Sequence, residues 1–316
     1  MVVSAPTTTE IVAQHLAGKR VPIGSIVFRA TLLMALLTSL LILVTLLTSI
    51  TAGAVPTFQE RGLDFITSPL SLDPATAGVW SGIVGSAGIA ALVTVIAFPL
   101  GIGTAVYLEE YASRGRLTNL LRTNVRNLAS VPSIVYGLLG LAIFVRVVNL
   151  IGLSGTSSGR NILAAGVTMA VLVLPIVIIT TSEALRAVPQ TIREAGFGVG
   201  ATKWEVIRHQ VIPSAAPGIL TGAVLAIARA FGETAPLLVI GVATGFFAAA
   251  ADATFVERVT GSYTALPVVI LSWSKQNDVQ FADTLAPAAI VVLLAMLLTA
   301  NAAAIIIRNR FDRNQQ

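Results

Sequence analysis

The sequence contains no cysteine and few charged residues, and both deficits restrict the class of protein. Without cysteine, neither disulfide bonds nor thiolate metal sites can form. Charged residues make up 11% of the 316 residues, whereas a typical soluble domain has about 25%. Hydrophobic residues make up 55% and the mean hydropathy is +0.86, which excludes both a soluble globular domain and a disordered chain.

Residues that build active sites are also scarce. The two histidines, His15 and His209, are too few for a histidine metal cluster, and neither is placed for a Ser-His-Asp triad. The phosphate-binding pattern G-x-x-x-x-G-K-[ST] is absent, because no lysine precedes serine or threonine. We therefore expect no catalytic residue, no metal and no cofactor on this chain. Any ATP and magnesium would be used by a partner ATPase.

Long apolar stretches are abundant instead. A helix needs about 20 apolar residues to cross a bilayer core roughly 30 Å thick. Six stretches meet this requirement: 26–53, 79–109, 128–151, 162–185, 217–241 and 285–307. The sequence therefore predicts an all-α integral membrane protein with a tail at 1–25, a six-span domain at 26–310 and a second tail at 311–316.

The positions of the basic residues predict the orientation of these spans. With both termini in the cytoplasm, 14 of the 20 lysines and arginines fall on the cytoplasmic side and 4 on the outer side. Segments rich in lysine and arginine stay in the cytoplasm, so this orientation is favoured. The pI of about 10.1 then reflects membrane topology, and no nucleic-acid partner is expected.

The fifth predicted span contains two charges where charge is costly. Arg229 lies 12 residues into this span, which is about 18 Å deep at about 1.5 Å per residue. An arginine near the midplane costs about 2.5–3.5 kcal/mol on insertion scales. Glu233 follows one helical turn later on the same face. A stripe of small residues beside the pair allows another helix to approach closely: Gly218, Gly222, Ala226 and Ala230.

Two interpretations of this pair remain open on the sequence. The first is a structural ion pair that locks two helices together. The second is an anion station, in which the guanidinium of Arg229 binds an oxyanion through its fork of donors. Glu233 would then hold the guanidinium in place or accept a proton from a protonated phosphate.

The segment 188–213 predicts two short helices joined by a turn between the fourth and fifth spans. Three glycines favour the turn: Gly196, Gly198 and Gly200. Thr202 and Glu205 form a capping box that starts the second helix, and Pro213 and Pro217 are expected to end it. Three apolar residues at helical spacing give this helix an apolar face: Trp204, Ile207 and Val211. Such a projection suits a groove on a cytoplasmic partner.

This segment resembles the EAA loop of ABC importer permeases. The matching residues are Glu194-Ala195-Gly196, Gly200 six residues after the glutamate, and Ile212-Pro213. The chain departs from the family pattern in having Gly196 for an alanine, Gln210 for a usual isoleucine and Ile212 for a leucine. The resemblance implies that the loop docks on an ATPase subunit. The residues implied in this coupling are Arg193, Glu194, Ala195, Gly200, Lys203, Trp204 and Pro213.

Other stretches resemble the PstA family, permease subunits of phosphate-specific ABC importers. Residues 228–238, ARAFGETAPLL, are similar to the ARxxGETAPLL segment of that family. The sister PstC family tends to have Met-Ala where this chain has Ala235-Pro236. The PstA family is also similar at residues 99–103 with 107–111, at residues 131–137, and at Leu266-Pro267 with Trp273. The resemblance runs from about residue 78 to the C-terminus.

The resemblance implies a type I ABC importer permease with a MetI-like core that imports inorganic phosphate by alternating access. The implied partners are a PstC-like sister permease in a heterodimer, two copies of a PstB-like ATPase and an extracytoplasmic PstS-like phosphate-binding protein. The implied location is a bacterial cytoplasmic (inner) membrane, with lipid around the spans. The expected substrate pathway contains Arg229, Glu233, Thr234 and Ser133.

Three alternative functions remain open. An importer of molybdate or sulfate would share the loop, but a neutral donor site without an acceptor would suit those anions, and Glu233 argues against one. A channel or secondary carrier would need no ATPase, and the segment 188–213 argues against it. A membrane scaffold without transport activity fits poorly with a midplane Arg–Glu pair.

The remaining charged residues near span ends are expected to have structural roles. Arg186 and Glu183 are expected to form an exposed ion pair at the inner end of span four. Glu109 and Glu110 are expected to be solvated at a helix end. Arg146 is expected to snorkel toward the outer surface, with a role in receiving phosphate as the alternative.

Overall fold

A computed structural model of the chain describes residues 23–113, 115–153, 157–242 and 261–313. Within these ranges the regular structure is entirely helical. Six helical stretches are long and apolar enough to cross a membrane: Ile23–Arg61, Trp80–Tyr111, Ser133–Leu150, Ile162–Ala187, Lys203–Gly232 and Phe281–Arg310. The prediction of an all-α chain with six spans is confirmed.

The chain divides into two compact units, residues 1–50 and residues 51–316. In the described part of the first unit there is one element, the beginning of the helix Ile23–Arg61. All contacts described below lie within the second unit. The α-helices in chain order are α1 Ile23–Arg61, α2 Asp64–Thr67, α3 Trp80–Val106, α4 Arg116–Ala129, α5 Ser133–Leu139, α6 Val145–Leu150, α7 Ile162–Ala187, α8 Gln190–Gly198, α9 Lys203–Val206, α10 Ile212–Gly232, α11 Ala235–Ile240, α12 Leu266–Trp273 and α13 Ala286–Arg313.

Four π-helical segments extend or join these helices. Tyr107–Tyr111 continues α3, Gly140–Phe144 joins α5 to α6, Ile207–Val211 joins α9 to α10, and Phe281–Leu285 leads into α13. The third span is therefore Ser133–Leu150, and its expected start at residue 128 is wrong. Residue 128 belongs instead to the amphipathic helix α4, which ends before Pro132.

The fifth span differs most from the expectation. Its helix begins earlier, at Lys203, and also ends earlier, at Gly232. It runs without a gap from Lys203 to Gly232, so the prediction that Pro213 and Pro217 end the loop helix is wrong. Pro213 lies in the first turn of α10, just after a π turn in which the Ile212 N–H donates to the Ile207 carbonyl. A proline that lacks an N–H is tolerated there.

The same span breaks where one continuous helix was expected through residue 241. Glu233 has an extended backbone, with φ −85° and ψ 115°, and α11 begins at Ala235. Pro236 explains the break, because its ring would clash with the Gly232 carbonyl and it has no N–H to donate to that carbonyl. Gly241, at φ 88°, ends α11 in the left-handed conformation that favours glycine.

The stripe of small residues on α10 packs against α7, as predicted. A Cβ added to Gly218 would lie 2.7 Å from the Ala184 Cβ, and one added to Gly222 would meet the Thr180 side chain even more closely. Ala226 is fully buried further along the stripe. This close packing positions the end of α10, where Arg229 lies.

Because of this packing, Gly222→Ala is expected to destabilise the folded protein by about 1–3 kcal/mol through overpacking against α7. Gly103→Ala is the matched control, because Gly103 also lies in a long helix but an added Cβ there meets nothing within 4 Å. Alanine has the higher helix propensity, so Gly103→Ala is expected to be neutral or slightly stabilising. Thermal unfolding of both variants in detergent checks this prediction. Equal melting temperatures would contradict it.

Candidate functional site

Arg229 and Glu233 form an ion pair at the break between α10 and α11. The Nε of Arg229 donates to the Oε1 of Glu233 at 3.1 Å. The spacing predicted this contact, although Glu233 lies just after the helix and not within it. The side chain of Arg229 is 37% exposed and that of Glu233 19% exposed. This bond uses only the Nε of the guanidinium, and among the described residues no hydrogen bond to either Nη is found.

Helix α5 lies beside this break. A Cβ added to Gly137 would lie 2.7 Å from the Pro236 Cα, so α5 and α11 cross almost backbone to backbone. Tyr136 is buried next to this crossing, and its hydroxyl donates to the Leu128 carbonyl at 2.8 Å. Tyr136 was not among the predicted site residues, because a tyrosine on an apolar helix carries no sequence signal of its own.

The other two predicted pathway residues are Thr234, next to the pair in the chain, and Ser133, on helix α5. Thr234 follows Glu233 directly and is half-buried. Ser133 is the first residue of α5 and is also half-buried. In the described ranges, no hydrogen bond joins either hydroxyl to Arg229 or Glu233. Their places in the pathway stay predictions.

The loop at 188–213 has the two helices and the capping box predicted for it. The N–H of Thr202 donates to the Glu205 Oε2 at 2.8 Å, and the Glu205 N–H donates to the Thr202 Oγ1 at 3.4 Å. The turn, however, follows residue 198, and of the three glycines only Gly200 lies in it, at φ 82°. Gly196 lies within α8, at a position where the neighbouring helix leaves no room for a side chain. An added Cβ would lie 2.7 Å from the Val206 Cγ2.

The apolar residues of the loop divide into a buried set and an exposed set. Of the three residues of the predicted apolar face, Ile207 and Val211 are buried in a cluster with the end of α7, and Trp204 lies outside this cluster. Trp204 remains exposed, and Phe197 and Val199 are exposed with it. We call these three residues the loop face. Sequence reasoning missed Phe197 and Val199, although large apolar residues between glycines in a polar loop are a usable signal.

Glu110, at the end of the second span, anchors the loop. Glu110 accepts hydrogen bonds from the Arg193 Nη2 at 2.7 Å and Nε at 3.3 Å. Arg193 also donates to the carbonyls of Leu185 and Val188, both at 2.9 Å. Arg193 therefore ties α8 both to the end of the second span and to the end of α7. We call the Glu110–Arg193 pair the loop clamp.

Glu109 makes a second set of ion pairs beside the loop clamp. Arg186 binds it through both carboxylate oxygens at 2.8 Å, and the Arg122 Nη2 donates to it at 3.1 Å. An ion pair of Arg186 with Glu183 had been expected. Arg186 pairs with Glu109 instead. The side chains of Glu109 and Glu110 are 8% and 9% exposed, so the expectation that they are solvated is wrong as well. The π turn Tyr107–Tyr111 places both carboxylates against neighbouring helices.

The other residues predicted for coupling lie around this anchor. Lys203 places its Nζ 4.8 Å from the centre of the Tyr111 ring, in a cation–π contact. Glu194 and Ala195 are exposed on α8. Pro213 lies in the first turn of α10, away from the loop face. The structure thus groups the predicted residues into an exposed face and a buried anchor.

Sequence comparison identifies what these features resemble. The family model described as binding-protein-dependent transport system inner membrane component matches residues 97–315. The probable ABC transporter permease protein YqgI of Bacillus subtilis is 36% identical over 180 residues, which span 57% of this chain and 58% of that protein. The phosphate transport system permease protein PstC of Mesorhizobium japonicum is 32% identical over 282 residues, or 80% of this chain and 86% of PstC. PstA 1 of Mycobacterium tuberculosis H37Rv is 33% identical over 232 residues, or 73% and 70%.

Solved structures with the same fold are ABC transporters. A bacterial alginate ABC transporter superposes with a TM-score of 0.63 at 16% identity, covering 90% of this chain and 94% of the other. The MetNI methionine ABC transporter superposes with a TM-score of 0.51 at 19% identity, covering 74% and 94%. At such identities the likeness shows the fold alone, and it confirms the predicted MetI-like core.

Proposed function

Because the chain belongs to the family of binding-protein-dependent transport system inner membrane components, we propose that it is the PstA-type permease of an ATP-driven importer of inorganic phosphate. Relatives of 32–33% identity that span most of the chain are phosphate transport permeases. The segment 228–238 supports a PstA-type subunit over a PstC-type subunit. Pro236 in this segment also produces the break that frees Glu233 from the helix. The observation that carries the proposal is the Arg229–Glu233 pair at this break.

The exposure of the pair supports a pathway shared with a second permease. More than a third of the Arg229 side chain is uncovered by the chain itself, although Arg229 lies in the last turn of the apolar helix α10. Contact between a charged guanidinium and bilayer hydrocarbon is costly, so a water-filled pathway or a partner would cover it. A PstC-like sister permease in a heterodimer would enclose both Nη groups in a pathway between the subunits. There they match the oxygens of a phosphate.

Glu233 fits phosphate better than a fully deprotonated oxyanion. Its Oε1 holds the Arg229 Nε at 3.1 Å, which orients the guanidinium, and its other oxygen is not used in this bond. HPO4 and H2PO4 anions carry a proton that this oxygen can accept in a hydrogen bond. Sulfate and molybdate dianions carry no proton and would be repelled by the carboxylate.

The loop face and the loop clamp support coupling to an ATPase. In the proposed orientation both termini and the loop lie in the cytoplasm of a bacterium, and the spans cross its cytoplasmic membrane. A PstB-like ATPase would bind Phe197, Val199 and Trp204, and its ATP cycle would move α8. The loop clamp would pass this movement to the second and fourth spans, which opens the pathway alternately to a PstS-like phosphate-binding protein outside and to the cytoplasm.

Docking on the loop face leads to a specific expectation. Phe197→Asp with Trp204→Asp places two carboxylates in an apolar contact and is expected to remove the ATPase from the purified complex. Leu72→Asp is the control, because Leu72 is also an exposed apolar residue and lies in a loop outside this face. The amount of ATPase that co-purifies with the tagged permease is the measurement. Unchanged recovery in the double variant would exclude this face as the docking site.

The test of the whole proposal is ATP-dependent uptake of labelled phosphate by vesicles that contain the purified complex with its binding protein. We expect uptake to require ATP on the side of the membrane where the ATPase is exposed. About a tenfold excess of sulfate or molybdate should not reduce uptake, because a site that hydrogen-bonds a substrate group strongly rejects analogues that lack this group. Competition by either anion would favour an importer of that anion. Uptake by the permease without ATPase or ATP would favour a channel or secondary carrier.

A further inference from the structure

A cavity of about 970 Å³ lies at the other end of the bundle from the loop. It is formed by the end of the third span, the residues that precede α7 and the end of α11. Because α7 has 26 residues and is therefore about 39 Å long, this cavity is far from the loop clamp at the opposite end of α7. Two arginines, Arg146 and Arg160, line it together with three serines: Ser157, Ser158 and Ser262.

The two arginines of the cavity differ in charge balance from four arginines elsewhere in the bundle. Arg122, Arg186, Arg193 and Arg229 each bind a carboxylate. Among the described residues, no carboxylate oxygen lies within 4.0 Å of Arg146 or Arg160, and both side chains are exposed. Two guanidinium groups without a carboxylate partner among the described residues, placed in one concave surface, concentrate anions there. The hydroxyls of Ser158 and Ser262, which also line the cavity, are donors that suit phosphate oxygens.

Helix α11 connects this cavity to the Arg229–Glu233 pair. Its six residues, Ala235–Ile240, are about 9 Å long and lie between the break and Gly241, which lines the cavity. A Cβ added to Gly241 would lie 3.1 Å from the Arg160 Cδ, so the arginine is packed directly on the end of α11. An anion bound in the cavity is therefore one short helix away from the proposed anion station.

We infer that this cavity is a second anion site that binds phosphate oxygens through Arg146 and Arg160 and supplies the anion to Arg229. The inference rests on the proposed function for its direction of transfer, but not for the anion binding itself. Phosphate oxygens belong both to free phosphate and to lipid headgroups. The connection through α11 favours free phosphate, since a headgroup bound here would obstruct the way to the pair.

The absence of cysteine in the chain allows a direct test. Ser158→Cys places a thiol in the cavity, and Asn277→Cys places one on an exposed loop beside one lysine and one aspartate. In the complex reconstituted in nanodiscs of neutral lipid, we expect a negatively charged methanethiosulfonate to modify Ser158→Cys about tenfold faster than its cationic analogue. Asn277→Cys should show no such preference. Inorganic phosphate should slow the first reaction more than chloride at equal ionic strength.

Arg146→Gln with Arg160→Gln in the Ser158→Cys background should remove both the charge preference and the protection by phosphate. Equal rates for the two reagents, no protection by phosphate, or an unreactive Ser158→Cys beside a reactive Asn277→Cys would overturn the inference. Nanodiscs with phosphatidylglycerol provide the lipid arm. Protection by this lipid with none by free phosphate would assign the site to a headgroup and overturn the transfer step.

The two proposals fail separately in these measurements. Loss of uptake in an Arg229 variant, together with no phosphate protection at Ser158→Cys, would leave the proposed function standing without the second site. Normal uptake in that variant, together with protection at Ser158→Cys, would leave an anion-binding cavity on a protein whose transport does not use Arg229.

Discussion

Replacing Arg229 with glutamine is expected to reduce ATP-driven phosphate uptake by about a hundredfold or more while the complex stays assembled. Removing one partner of a desolvated charge pair costs about 2–5 kcal/mol, which corresponds to at least a thirtyfold change, and the bound anion would lose its cation as well. Arg229→Lys keeps the charge but lacks the planar fork of donors, so an intermediate loss is expected. The initial rate of labelled phosphate uptake is the measurement. Arg126→Gln is the control, because Arg126 is an exposed arginine on α4, outside the proposed pathway.

A second variant separates an anion station from a structural lock. Arg229→Met with Glu233→Leu removes both charges and keeps a similar volume, and such replacements are often neutral or stabilising. If the pair only locks helices, this double variant should assemble and transport like the wild type. If the pair binds the anion, it should assemble normally and remain inactive. Wild-type uptake by the double variant would exclude the anion station.

The features that the sequence predicts well are those with a local signal. The six spans follow from apolar runs, and the Arg229–Glu233 contact follows from a spacing of one helical turn. The capping box of Thr202 and Glu205 is equally local. In each case the interacting groups are separated by few residues, so backbone geometry alone brings them together.

The features that sequence reasoning missed depend on packing between distant segments. Glu109 and Arg186 are 77 residues apart, and Glu110 and Arg193 are 83 residues apart, so no spacing rule connects them. Arg186 has Glu183 one turn away, and the nearer partner was therefore preferred. The break at Glu233 is hidden in the hydropathy pattern because Leu237 and Leu238 continue the apolar run, and Pro236 is the one local signal for it.

These distant ion pairs join the loop to the second and fourth spans, which the local features do not do. Arg193 joins α8 to Glu110 at the end of the second span and to two carbonyls at the end of α7. Arg186 and Glu109 join those same two spans directly. In the proposed mechanism a force on the loop would reach both helices, chiefly through the Glu110–Arg193 bonds, which are largely shielded from water. Charge-assisted hydrogen bonds are strong in such surroundings.

Glu110→Gln is therefore expected to uncouple ATP hydrolysis from transport. Glutamine keeps the shape of the side chain but leaves the largely buried guanidinium of Arg193 without its anion, a loss of about 3–5 kcal/mol. The loop face remains exposed, so the ATPase should still bind and hydrolyse ATP, while phosphate moved per ATP should fall about tenfold. That ratio, measured in vesicles, is the readout. Glu183→Gln removes an exposed carboxylate from the same end of the bundle and should leave the ratio unchanged.

A charge exchange distinguishes transmission through the loop clamp from a general loss of structure. Glu110→Arg with Arg193→Glu restores opposite charges at the same two positions, and it should recover part of the phosphate moved per ATP that Glu110→Gln loses. A parallel fall of ATP hydrolysis and uptake in Glu110→Gln would indicate failed docking and not uncoupling. An unchanged ratio in Glu110→Gln would show that movement reaches the spans without the clamp, through the buried contacts of Val206 and Ile207 with the end of α7. A fall in phosphate moved per ATP, recovered by the charge exchange, would show that the ion pair between α8 and the second span transmits the movement. Glu110 and Arg193 would then be positioning residues for transport.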